Sequence, residues 1–87
     1  SNTYQFVFYS VNSVRFTQAS VRRGEQTSAQ WSLQNARRGE KIFEWAPTAA
    51  PTGRYQFDYV VEIEQLNRPP ERLQRSIVFE HNPSWLR

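Results

Sequence analysis

A chain of 87 residues makes one domain near the lower size limit for independent folding, and with no cysteine neither a disulfide nor a thiolate metal site can brace it. Eleven Lys and Arg against eight Asp and Glu leave a formal charge of +3, which favours anionic partners too weakly for a dedicated nucleic-acid binder. No stretch approaches the roughly 18 apolar residues of a membrane span, and no signal-peptide pattern opens the chain.

Thr3 to Val11 predicts a first strand, with Tyr4, Phe6 and Phe8 on one side and Gln5, Val7 and Tyr9 on the other. Apolar residues on both sides predict a strand covered on both faces. Asn12-Ser13 turns the chain into a second, shorter strand, where Val14, Phe16 and Gln18 alternate with Arg15 and Thr17. Arg22-Arg23-Gly24-Glu25 ends it, because glycine accepts the positive φ of a tight turn. A third strand runs from Gln26 to Gln34 with Ala29, Trp31 and Leu33 inward. A second Arg-Arg-Gly-Glu, Arg37 to Glu40, precedes a fourth strand from Lys41 to Trp45 that faces Phe43 and Trp45 inward. Ala46 to Gly53 is a loop, since Pro47 and Pro51 lack the N–H that a ladder needs.

The longest alternation follows, from Arg54 to Leu66. Tyr55, Phe57, Tyr59, Val61 and Ile63 share one face; Gln56, Asp58, Glu62 and Glu64 share the other. A period of two with one polar face is the pattern of a strand lying over a core. Asn67 to Pro70 turns the chain into a last strand, Glu71 to Glu80, with Leu73, Ile77 and Phe79 inward. Residues 81–87 read as a tail or linker that leaves His81 exposed. No segment fits a helical period better than it fits strand alternation. An all-β antiparallel sandwich over residues 3–80 is the predicted fold, and a small five-stranded oligonucleotide-binding barrel is the alternative. The chain contains no Met, which predicts a processed or excised piece of a longer protein, with residues 1–2 left from tag removal.

Few residues suggest chemistry. The paired Arg22-Arg23 and Arg37-Arg38 could hold an anion or an acidic partner, but they bracket one strand and so lie about 30 Å apart at ~3.4 Å per residue. That exceeds several Debye lengths, so each pair acts alone, and solvated turns are the favoured reading. Asp58, Glu62 and Glu64 share a solvent face without the cleft that paired catalytic carboxylates require; cross-strand ion pairs to a neighbouring strand bearing Arg72 and Arg75 are predicted instead. His81 has no Cys or other ligand companions. No catalytic residue, metal site or cofactor is predicted, and the chain is read as no enzyme. The six Phe, four Tyr and three Trp are expected as core first and binding platform second. Trp85, beyond the last strand, is expected to dock on another domain. Any unpaired sandwich edge could also accept a strand from a partner.

Gly24-Glu25, Trp31-Ser32-Leu33 and Asn35, followed by Phe43-Glu44-Trp45 and Pro51-Thr-Gly53-Arg-Tyr55-Gln-Phe57, resemble bacterial immunoglobulin-like or fibronectin-III-like modules. Relatives of that kind include the immunoglobulin-like part of the flagellar hook-capping protein and the triple-tyrosine module of bacterial sensor kinases, whose Pro-Trp exit Pro83-Ser-Trp85 resembles. The stretch from Leu33 to Gly53 is shorter than in the second, and its Tyr-Thr-Asn-Leu step is absent. The resemblance implies an antiparallel, six- to seven-stranded immunoglobulin-like β-sandwich. The function expected is a non-catalytic interaction or spacer module of a larger bacterial protein in the periplasm or at the cell surface. Its expected partners are other domains of that protein or a separate protein, met through Arg22, Arg23, Arg37, Arg38 or Trp85. The alternative is a ligand-binding module for carbohydrate or single-stranded nucleic acid, built from exposed aromatics and Arg.

Overall fold

Alternation becomes seven strands in the computed structural model, which describes residues 2–32 and 34–85. They are β1 (Tyr4–Ser10), β2 (Val14–Arg23), β3 (Gln26–Trp31), β4 (Gln34–Ala36), β5 (Gly39–Trp45), β6 (Gly53–Gln65) and β7 (Arg68–His81). The expectations for Ser1 as a tag remnant and for Leu33 as an inward residue fall outside the described residues, as do the last two residues of the expected tail.

Every pairing is antiparallel. β1 and β5 form one sheet; β3, β2, β6 and β7 lie in that order in the other, and β4 also pairs with β2. The chain is thus a β-sandwich of two sheets. The predicted third strand is divided: β3 lies along the end of β2 and β4 along its start, through Ala19↔Trp31 and Val14↔Ala36. Two hairpins owe their tightness to residues that accept left-handed backbone. Gly24 (φ 59°) turns β2 into β3, and Asn67 (φ 58°) turns β6 into β7. The β1–β2 link is no hairpin, because the chain crosses there from one sheet to the other. Ser10 Oγ donates to Asn12 O at 2.8 Å, and Glu64 N donates to Ser13 O at 3.0 Å, pinning the crossing to β6.

Rings fill the space between the sheets. Phe6 of β1 stacks on Phe57 of β6 with centroids 4.3 Å apart. Phe43 of β5 meets Phe16 of β2 edge-on at 5.0 Å and Trp31 of β3 at 5.6 Å. β1 therefore crosses from β7, where Tyr4 reaches Phe79 at 5.4 Å, over β6 to β2, where Phe8 reaches Phe16 at 5.2 Å, while β5 sits over β6, β2 and β3 and touches the end of β7 through Trp45. Each fully buried ring of this kind stabilises the fold by about 1.5–3 kcal/mol.

Three expectations need correction. β1 is not covered on both faces: Val7 is 54 % and Tyr9 78 % exposed, because neither sheet lies outside the β1–β5 pair. Ile77 does share the inner face of β7, opposite Phe57, yet it is 40 % exposed. His81 is no linker residue. It ends β7 opposite Gly53 and is 1 % exposed, packed against Tyr4, Trp45 and Tyr55. β7 accordingly ends at His81, one residue beyond the predicted end of the last strand.

Candidate functional site

The Arg-Arg pairs are far apart, as their spacing requires. β2 carries Arg22 opposite Gln56 at one end and Val14 opposite Ile63 at the other, with Arg37-Arg38 just beyond the β4 residue paired to Val14. Eight residues of strand separate these positions, or about 27 Å. Arg22 is committed to the fold: its Nε bonds the Asp58 carboxylate and its Nη1 donates to Gly24 O at 2.7 Å. Arg23 is exposed beside Gly53, at a hollow of about 360 Å³ formed with Trp45, Tyr55 and the Ala46–Pro51 loop. Arg37 borders an open hollow of about 550 Å³ that also holds Arg15, Glu62 and Glu64, so acid cancels base there. Arg38 faces Glu64 and Leu66 across another shallow groove.

Two of the outward carboxylates of β6, Asp58 and Glu62, do form ion pairs, but with β2. Arg15 Nη2 donates to Glu62 Oε1 at 2.6 Å, and Asp58 takes Arg22. Arg75 cannot serve Asp58 because it lies opposite Tyr59 and so belongs to the inner face. Burial alone would raise the Asp58 carboxyl. Hydrogen bonds from Ser76, Arg22 and Gln56, with the Arg22 charge, outweigh that and hold it below its usual 3.8. This is a carboxylate fixed as an acceptor, which suits it to structure rather than proton transfer.

His81 is likewise fully engaged. Ala50 O can only accept, so Nε2 carries the proton and donates to it at 3.2 Å, leaving Nδ1 to accept from the Tyr4 hydroxyl at 2.7 Å. Among the described residues no group of three or more His, Cys, Asp or Glu lies close enough to hold a metal ion. No helix there is long and apolar enough to cross a membrane.

No family model, curated protein or solved structure matches this chain. Function must be argued from its surface.

Trp85 stands on a 3-10 turn, Pro83–Trp85, and is 61 % exposed. Asn82 builds the turn: its Oδ1 accepts from Ser84 N at 3.0 Å and its carbonyl from Trp85 N at 2.9 Å. Tyr9, the other exposed ring, is at the opposite end of β1 from Tyr4 and His81, some 17 Å along the strand. The two rings make no shared platform. What sequence reasoning missed is the outward face of β1–β5, where Val7 is opposite Ile42 and Tyr9 opposite Glu40. The signal was present in the apolar residues on both faces of β1, and only their interpretation as doubly covered misled.

Proposed function

We propose that this chain is an immunoglobulin-like interaction module of a larger, bacterial, extracytoplasmic protein, joining domains or proteins without catalysing a reaction. One observation carries the reading. The outward face of the two-stranded sheet exposes Val7, Tyr9 and Ile42 as neighbours on paired strands, flanked by Gln5, Glu44 and Glu40. Exposed apolar residues grouped on a rigid sheet mark contact surfaces more often than isolated ones do. Trp85 adds a second apolar anchor at the end of the sandwich, of the ring type that interfaces favour. The ordering of the other rings fits the same reading, since Phe57, Tyr55, Trp45 and Phe43 are spent on the core.

Carbohydrate or single-stranded nucleic-acid binding takes second place, because stacking sites need neighbouring exposed rings and basic grooves. Here the exposed rings are separated, and Arg15, Arg22 and Arg37 lie beside carboxylates. Hydroxyl-radical footprinting of the intact protein against the isolated domain tests the proposal. Tyr9 and Trp85 are expected to be labelled at least several-fold less in the intact protein. Equal labelling, with full activity retained after the domain is deleted, would overturn it.

A further inference from the structure

Two strands face a sheet four strand positions wide, and the shortfall is unequal. On the β5 side Trp31 closes the core edge-on against Phe43. On the β1 side the cover stops at Phe79, which Tyr4 and Phe6 reach at 5.4 and 5.3 Å. Next along the inner face of β7 come Ile77, then Arg75, both exposed, then Leu73, half-buried. β1 has a single partner strand, so no strand among the described residues pairs with its edge above β7.

That edge is also unguarded. Open edges are normally blunted by charge or proline. Between Tyr4 and Ser10 β1 has neither, whereas β7, the free edge of the other sheet, carries Pro69, Pro70, Glu71, Arg72, Arg75 and Glu80. The contrast distinguishes an edge kept closed from one left open.

We propose that the β1 edge captures one extended peptide segment from a protein partner, which adds as a third strand and lays alternate side chains over β7. The inference rests on the interaction-module reading and names the partner's chemistry. β1 runs antiparallel to β7, Tyr4 lying by His81 and Phe6 by Phe79. Beyond Phe6 the strand veers off, with Phe8 on Tyr59 and Phe16, so a strand added at the free edge of β1 passes over the inner face of β7, where Phe79, Ile77 and Arg75 follow at a ~6.8 Å repeat. Its chemistry follows: apolar, apolar, acidic. The Arg75 guanidinium donates to Gln74 O of its own strand, and none of the three ion pairs among the described residues includes it. An apolar residue laid over it would leave a covered charge unmatched, and a carboxylate matches it. A second copy of this chain is the poorer occupant. Its own β1 rings are seated on its own core, as Phe6 is on Phe57, so it would bring backbone but no side chains to Ile77.

The probes are capped peptides, Thr-Val-Thr-Val-Thr-Glu-Thr and the reversed sequence, each also made with Lys in place of Glu. Amide hydrogen exchange followed by NMR reads the contact. At saturating peptide the β1 amides that do not bond β5 are expected to slow by about tenfold or more, with the Glu peptide binding about tenfold more tightly than the Lys peptide. Arg75→Glu should reverse that preference, and Ile77→Lys should abolish capture; the charge swap decides the matter even if the Ile77 variant misfolds. Equal binding of Glu and Lys peptides, binding that leaves β1 amides unchanged, or no binding by either polarity overturns the proposal. So does concentration-dependent β1 protection without peptide, which would identify a second copy as the occupant. Val7→Ser with Tyr9→Ser keeps the two readings apart, since it removes the outward contact and should leave peptide capture intact.

Discussion

β6 and β7 are neighbours for most of their length, and both alternate, yet they end in different environments. Tyr55, Phe57 and Val61 of β6 are buried, whereas their partners Phe79, Ile77 and Leu73 on β7 are half-buried or exposed. The cause lies in the opposite sheet. β6 runs beneath both β1 and β5, while on β7 the rings of those strands reach only Phe79 and His81 near its end. Alternation thus states which residues share a face and leaves open whether that face has a lid.

Truncation at paired positions tests the contrast most severely. Phe57→Ala should cost about 3–5 kcal/mol in urea unfolding, because a wholly buried ring stacked on Phe6 leaves a cavity. Ile77→Ala, directly opposite, should cost about 1 kcal/mol or less, since much of that side chain already meets water. Similar losses would mean that β7 is covered after all. The one well-covered end of β7 offers the next test. His81→Phe should cost about 1–3 kcal/mol by orphaning the Tyr4 hydroxyl and the Ala50 carbonyl. Adding Tyr4→Phe should then cost less than Tyr4→Phe costs alone, and strict additivity in the double-mutant cycle would contradict the described bond.

Acid unfolding tests the polar face that both strands share. The folded chain holds Asp58 below its usual 3.8, so the unfolded chain takes up that proton first as pH falls. Its contribution is complete above the unfolded value and is lost as pH drops through the lowered one. Asp58→Asn should therefore flatten the fall in stability below about pH 4, and an unchanged acid limb would refute the assignment. Smallest of all is Arg54→Ala. The Arg54–Glu80 pair spans β6 and β7 at 3.1 Å with both side chains exposed, and its loss should shift stability by no more than about 0.5 kcal/mol.

Strand positions and inward rings were legible because both are local: a period of two can be read from five residues. Trp45, Tyr55 and Phe57 announced themselves that way. What the chain hid depends on partners distant in sequence. Glu62 and Asp58 found Arg15 and Arg22 on β2, 47 and 36 residues away, rather than the cations of the adjoining strand. His81 was misread because Asn82-Pro83 marks a chain end, and nothing local says that the ring one step earlier is clasped by Tyr4, 77 residues upstream. The candidate surface was half legible. Its residues stood out on both faces of β1, but the number of sheets available to cover them did not.

The pairing of Tyr4 with Trp45 carries a temporal consequence. On a ribosome adding about 5–20 residues per second, β1 waits roughly 2–8 seconds before β5, the strand it pairs with, emerges. Through that interval Tyr4 to Ser10, uncharged and free of proline, waits without the strand it pairs with, and an unpaired edge of that kind is a template for another chain.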